Sequence, residues 1–188
     1  MNSETSPAAS IVERVTPVSA GGPVLGVHFL GSTAAFVLGE ESILLVAADG
    51  SAHRARAHAG GILAAAADAE HVATGGDDGN VVLTDARGAN RAIASDAKGR
   101  WIDRVALGPG KAVAWSIGKT AFVRTAAGDE RRLELPSSAG GLAFAPKGMR
   151  LAITHYNGAS LWFPNASAAP ERLEWKGSHL AVTFSPNG

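Results

Sequence analysis

The 188-residue sequence predicts an all-β protein built from one small sheet that is repeated about every forty residues. Arginines recur inside short strand-like runs at intervals of 40, 37, 41 and 40 residues, at Arg14, Arg54, Arg91, Arg132 and Arg172. Ala-Gly-Gly recurs at 20–22, 59–61 and 139–141, and a proline turn recurs at 107–109, 144–146 and 184–186. Separate landmarks that share one period indicate a stack of one supersecondary unit.

The composition limits the class of partner. Hydrophobic residues make up 46% of the chain, with 23 glycines and 9 prolines, which is typical of a turn-rich globular β protein. Seventeen basic and seventeen acidic residues cancel and are spread along the chain, so no nucleic-acid partner is predicted. The chain has no cysteine, which excludes disulfides and thiolate chemistry. The first ten residues lack a secretory pattern and no apolar run is long enough for a membrane, so we expect a cytoplasmic protein that does not bind membranes.

One repeat shows the expected strands most clearly. Between residues 58 and 94, four short apolar runs lie at 62–66, 71–74, 80–83 and 91–94, and Gly, Asp or Asn bounds them. Asp78-Gly79 between the second and third runs is a strong hairpin signal, because both residues tolerate positive φ. We name the four strands a, b, c and d, in chain order.

The other repeats divide in the same way. Strands are predicted at 24–29, 34–38, 42–46 and 52–56 in the first repeat, and at 104–107, 112–116, 120–125 and 131–135 in the third. The fourth repeat has predicted strands at 142–144, 151–154, 159–163 and 171–174. No window sustains a helical period.

The segments GGDDGNVVLTD (75–85) and FAPKGMRLAITHYNGASLWF (144–163) resemble the WD-repeat β-propeller family. The resemblance implies four-stranded antiparallel blades, about four of them with the start of a fifth. It also implies structural roles for matching residues, namely His58 before strand a, Thr74 in strand b, Asp78 in the b-to-c turn, Asp85 after strand c, Trp162 in strand c of blade four, and His179 at the start of a further repeat.

The sequence departs from the family pattern at several positions. Thr84 stands where blade two should have tryptophan, and Phe163 where blade four should have aspartate. Blades one and three have no histidine at the expected place. The family's network of buried His, Ser/Thr, Asp and Trp is therefore complete in no blade.

The ends of the sequence predict incomplete closure. We expect an N-terminal tail at 1–22 with a closing strand d at 11–15, then blades at 23–57, 58–95, 99–136 and 138–175, and the start of a fifth at 178–188 with strand a at 179–184. Four blades with a lone a strand and a lone d strand cannot close. We therefore expect a truncated chain whose intact form has seven blades, with closure across copies as the alternative. The open edges also predict self-association.

The sequence contains no intact nucleophile elbow, phosphate loop, paired metal histidines or calcium loop, so no catalytic residue, cofactor or metal is predicted. Because d-to-a loops and b-to-c turns open on the same face of a propeller, aromatic and polar residues there form a candidate protein-contact face. Its members are Trp101, Asp103, Arg104, His155, Tyr156 and Asn157. Packing of Trp101 between blades is an equal alternative, and Trp115, Trp162 and Trp175 are expected in the core or between blades.

These observations predict a non-catalytic WD-repeat scaffold for protein-protein interaction. One alternative is a propeller enzyme or small-ligand binder, with a site in the central channel that further blades complete. Another is a half-propeller that assembles with itself.

Overall fold

The computed structural model describes residues 15–188, and its strands form four antiparallel sheets that follow one another along the chain. The proposed closing strand at 11–15 lies outside the described residues except for Val15, which is not in a strand. Blade one contains β1 (Val24–Leu30), β2 (Thr33–Leu38), β3 (Ser42–Val46) and β4 (Ala52–Arg56). Blade two contains β5 (Ile62–Ala67), β6 (His71–Gly76), β7 (Asn80–Asp85) and β8 (Asn90–Ser95).

Blades three and four continue the pattern. Blade three contains β9 (Arg104–Gly108), β10 (Ala112–Ile117), β11 (Thr120–Arg124) and β12 (Glu130–Glu134), with a 3-10 turn at Pro109–Lys111. Blade four contains β13 (Gly141–Phe144), β14 (Leu151–Trp162) and β15 (Glu171–Ser178). Each strand pairs with the next strand in the chain, so every blade is a simple meander.

Strand β14 is two antiparallel arms joined by a tight turn. An extended run of five residues covers about 16 Å, yet the Nε2 atom of His155 lies 3.1 Å from the Oγ atom of Ser160. The chain reverses at Asn157 and Gly158, whose φ angles are 65° and 143°. Asn-Gly suits such a turn because both residues tolerate positive φ. Blade four thus has four strands, with the b-to-c turn where the sequence predicts it.

The core lies between the blades. Three clusters of buried apolar side chains join blade one to two, two to three, and three to four. Strand β10 shows how a b strand serves two interfaces at once. Ala112 and Ala114 point to blade four, while Val113, Trp115 and Ile117 point to blade two. The period of two along a strand accounts for this division.

The recurring arginines lie in the fourth strand of each blade. Arg54, Arg91, Arg132 and Arg172 are exposed, and they lie opposite Leu44, Leu83, Phe122 and Ser160 of strand c. The fourth strand is the outer edge of each sheet, where charge disfavours pairing with other chains. The arginine period in the sequence therefore marks the blade edges.

The predicted all-β propeller class is confirmed, with four blades in the described part of the chain. The expected strand at 179–184 is wrong, because residues 179–184 form no strand. Within residues 15–188, no strand exchanges the backbone hydrogen bonds of a sheet with this segment. Within residues 15–188 there is no α-helix, and hence no helix of the length and apolarity that a membrane span needs.

Candidate protein-contact face

The d-to-a loops and b-to-c turns meet on one face of the molecule, which we name the loop face. It comprises the loops 57–61, 96–103 and 135–140 and the turns 77–79, 118–119 and 156–158. Backbone hydrogen bonds join the two kinds of segment, from Asp77 N to Gly61 O at 3.0 Å and from Ala139 N to Gly118 O at 3.0 Å. The loops are therefore fixed to the blades.

Trp101 projects from a rigid segment of the loop face. The Asp96 carboxylate accepts hydrogen bonds from the backbone of Lys98 and Arg100 and from the Arg100 guanidinium, 2.7 Å away. These bonds hold the pKa of Asp96 well below its ordinary range, and the bond from the Arg100 side chain has the largest effect. On the other side, Ile102 is buried between blades two and three, and its N–H donates to Gly76 O. Trp101 itself is 63% exposed, so the alternative of packing between blades is wrong.

Tyr156 is held at the b-to-c turn of blade four. Its backbone N–H donates to the Oγ atom of Ser137 in the preceding loop, at 2.9 Å. The next residue, Asn157, accepts from Gly177 N through Oδ1 at 3.2 Å, which ties the turn to the end of β15. The Tyr156 residue is 56% exposed. Both ties fix the backbone and leave the phenol ring free to make contacts.

A groove of about 690 Å³ lies beside Tyr156, between the loop that precedes blade four and strand β15. Its lining includes Ser137, Arg172 and Lys176, together with Trp175. Trp175 is 74% exposed, so the expectation that it belongs to the core is wrong. The physical reason is its place on an edge strand with no following blade against it in the described chain. The position of Trp175 in the fourth strand of its blade is the feature of the sequence that could have indicated its exposure.

Three other members of the predicted face act inside the structure. The Asp103 carboxylate accepts a hydrogen bond from Gly118 N, and Arg104 donates from Nε to Gly140 O at 2.7 Å. His155 is buried, donating from Nδ1 to Tyr156 O at 3.0 Å and accepting through Nε2 from Ser160. Their polar atoms make hydrogen bonds within and between blades three and four. A direct role of these three residues in protein contact stays a prediction.

A buried network stands at the edge of blade two. His58 is buried, with Nδ1 3.0 Å from Asp78 Oδ1 and Nε2 2.8 Å from Thr74 Oγ1. Because the carboxylate accepts, Nδ1 carries the proton. Asp78 also accepts from the backbone N–H groups of Ala59 and Asn80, each at 3.0 Å. Burial raises the pKa of Asp78, but the hydrogen bonds from Ala59, His58 and Asn80 outweigh it and lower the pKa to about 2.

The equivalent tie in the next two blades uses different chemistry. In blade three the Asp103 carboxylate joins the preceding loop to the b-to-c turn at Gly118, and in blade four the Ser137 hydroxyl joins it to Tyr156. In blades two, three and four, a histidine, an aspartate and a serine respectively fasten the preceding loop to the b-to-c turn. Sequence reasoning missed the second and third ties because only histidine matched the expected pattern.

The remaining positions singled out in the sequence are structural. Asp85 caps the c-to-d turn of blade two by accepting from the N–H groups of Arg87 and Ala89, each at 2.9 Å. Trp162 is buried in the cluster between blades three and four. His179 donates from Nε2 to Trp175 O at 2.8 Å. In the described part of the chain, no three His, Cys, Asp or Glu side chains gather in a way that could hold a metal.

Comparisons with known proteins agree on the fold. No protein-family model and no curated protein sequence matches the chain. Among solved structures, the computationally designed Ika8 protein matches with a TM-score of 0.72 and 16% identity, over 86% of this chain and 52% of that chain. Virginiamycin B lyase from Staphylococcus aureus matches with a TM-score of 0.64 and 14% identity, over 84% of this chain and 57% of that chain. The chain thus spans about half the length of the structures it matches.

Proposed function

We propose that this chain is a non-catalytic scaffold of the WD-repeat kind, which binds another protein through its loop face. The observation that carries the proposal is Trp101, a large aromatic side chain 63% exposed on a loop whose backbone is fastened on both sides. Trp and Tyr are enriched among the residues that dominate binding energy at protein interfaces. An aromatic residue on a fixed backbone loses little conformational entropy on binding.

Tyr156 of the loop face and Trp175 of the adjoining strand β15 supply a second contact region. Both line the groove beside β15, with Arg172, Glu174 and Lys176 around them. An apolar centre bordered by charged residues of both signs is the usual anatomy of a protein interface. It suits a protein segment better than a nucleic acid, which needs an excess of positive charge.

The resemblance to WD repeats is supported by the His58, Thr74 and Asp78 network, whose members lie within hydrogen-bond distance of one another. We propose a cytoplasmic location, with which the cysteine-free composition is compatible. The partner is a protein whose chemistry includes a pocket or groove for an indole ring.

Site-specific crosslinking tests the proposal. A photoreactive phenylalanine analogue is placed at position 101 or 156 of the 188-residue chain, and at exposed Arg87 on the opposite face as a control. We expect crosslinks to one protein from the first two positions and none to that protein from the third. Crosslinking of the same protein from all three positions, or only from position 87, would contradict a loop-face site.

Affinity measurements with the captured partner then test the residues. Trp101→Ala and Tyr156→Ala should each weaken binding by more than about 1 kcal/mol, roughly fivefold or more in Kd, with an unchanged melting temperature. A lower melting temperature with unchanged affinity would show that these side chains serve packing and not recognition.

An enzyme or small-ligand binder is the second candidate, because one of the matched structures is an enzyme, virginiamycin B lyase. Its site would lie among the first strands of the blades, which surround the centre of a propeller. On β1, partial burial lowers the pKa of His28 below its ordinary value. A small molecule that raises the melting temperature of the wild type, and not of His28→Ala, would favour this candidate.

A further inference from the structure

The outer face of blade one is apolar and has no neighbouring blade within residues 15–188. Strand register places Val27, Phe36 and Leu44 in one row across β1, β2 and β3. The cluster with blade two contains the alternate residues of these strands, namely Ala35, Val37, Ile43 and Leu45. The row of Val27, Phe36 and Leu44 therefore points away from blade two. Val27 is 48% exposed and Phe29, two residues along β1, is 68% exposed. The corresponding faces of blades two, three and four pack against the preceding blade.

The outer face of blade four is covered only in part. Residues 179–184 run along it, since a Cβ atom on Gly141 would lie 2.9 Å from Ala181 Cα and the Arg150 guanidinium lies 5.0 Å from the Phe184 ring. A cavity of about 370 Å³ remains between this segment and the blade, with Thr154, Ala159, Leu173 and Trp175 in its lining. Thr154 Oγ1 is buried there without a hydrogen-bond partner. The segment thus occupies the place of a following blade without filling it.

The segment and strand β1 share a side-chain pattern. Leu, Val and Phe alternate at 180, 182 and 184 and again at 25, 27 and 29. In β1 these side chains stand on a complete four-stranded blade, whereas residues 179–184 carry no further strands. The outer face of blade one would therefore fit the surface of blade four along which residues 179–184 run. It would also bury more of that surface than this segment does.

We propose that two copies of this chain close one ring, with the outer face of blade one in each copy packed on the outer face of blade four in the other. A twofold axis through the centre makes both contacts identical and leaves no open face, so assembly stops at two. The designed Ika8 protein has room for such a ring, because the matched part of this chain spans 52% of that chain. Residues 179–184 compete with the second copy for the face of blade four.

The area is sufficient for a stable dimer. Four strands about 4.8 Å apart and about five residues long make a face of roughly 19 Å by 17 Å. Two contacts, counted on both copies, remove roughly 1,300 Å² from water, within the range of standard stable interfaces.

Sedimentation equilibrium of the 188-residue protein tests the proposal. The expected species has about 38 kDa, twice the 19.1 kDa of one chain. Phe29→Asp should raise the dimer dissociation constant at least about tenfold, because it places a carboxylate in an apolar contact. Leu63→Asp is the matched control, because Leu63 is an apolar residue of β5 in blade two that is 41% exposed, and it should leave the constant unchanged. A chain that ends at residue 178 should dimerise at least about threefold more tightly, since the competing segment is gone.

Several results would overturn the proposal. They are a monomer at all concentrations, an open series of larger oligomers, or equal effects of Phe29→Asp and Leu63→Asp. The far-ultraviolet circular dichroism spectrum and thermal melt of Phe29→Asp show whether the variant is folded. If it is not folded, Val27→Asp on the same face replaces it. Association that survives Val27→Asp in a folded chain would also overturn the proposal.

Discussion

Replacing Asp78 with Asn tests the buried network of blade two. The substitution keeps the shape of the side chain and removes its charge, while the three donor groups around it stay in place. In the wild type, the carboxylate accepts from His58 Nδ1 and from two backbone N–H groups, each at 3.0 Å. The Asn amide has only one oxygen that can accept these bonds. Its NH2 group would face one of the remaining donors, and two donors cannot form a hydrogen bond with each other.

The pKa gives the magnitude of the expected loss. A carboxyl pKa held at about 2 in the folded state, against 3.8 for the ordinary group, corresponds to about 2 kcal/mol of stability at neutral pH. Because the folded pKa is the lower one, this stability is present above pH 3.8 and is lost as the pH falls toward 2. The free energy of unfolding of Asp78→Asn should therefore be about 2 kcal/mol below that of the wild type at pH 7, and the difference should shrink below about pH 4.

Urea unfolding at a series of pH values from 7 to 2 measures this difference directly. Asp77→Asn is the matched control, since it makes the same charge change one residue away, and among residues 15–188 the Asp77 carboxylate accepts no hydrogen bond. The control should change stability by less than about 0.5 kcal/mol. A difference for Asp78→Asn that stays constant between pH 7 and pH 2 would refute the reasoning, because it would not come from the carboxylate charge.

Two further predictions separate packing from exposure and strain. Trp115→Ala should lower the free energy of unfolding in urea titrations by about 3 to 5 kcal/mol, because Trp115 is buried between blades. The exposed Trp101 is the control, and Trp101→Ala should change the free energy of unfolding by less than about 0.5 kcal/mol. Similar losses for both variants would contradict this placement. Gly158→Ala should cost more than about 2 kcal/mol, because its φ is 143° and its Cβ would collide with Leu173 O, whereas Gly148→Ala, in open space at φ 74°, should cost about 1 kcal/mol. Thermal melts of the two glycine variants check the order, and a reversed order would refute the turn at Gly158.

The strands could be predicted from the sequence because turn residues and alternation fix them locally. In blade one, the predicted and observed strands differ by at most one residue at either end, and β3 and β4 coincide with prediction. The Asp78-Gly79 turn was found for the same reason, since its Gly79 has a positive φ of 76°, which few other residues adopt. Local chemistry was sufficient there.

Features that depend on neighbouring blades could not be predicted in this way. Residues 179–184 have a strand-like sequence but no paired strand beside them, so the pattern alone gave a wrong assignment. Asp103, Arg104 and His155 lie in loops or at the strand residues next to them, and only the fold reveals the groups with which they form hydrogen bonds. Exposure of Trp175 depends likewise on the absence of a following blade from residues 15–188.

Hydrogen exchange of the bound protein tests the central claim, that the loop face is the contact surface. Backbone amides in the segments 96–103 and 155–158, and at the end of β15, should exchange more slowly when the partner is bound. Those in the turns of the opposite face, at 47–51, 86–89 and 125–129, should exchange at the same rate with and without it. Protection confined to the opposite-face turns would contradict the account.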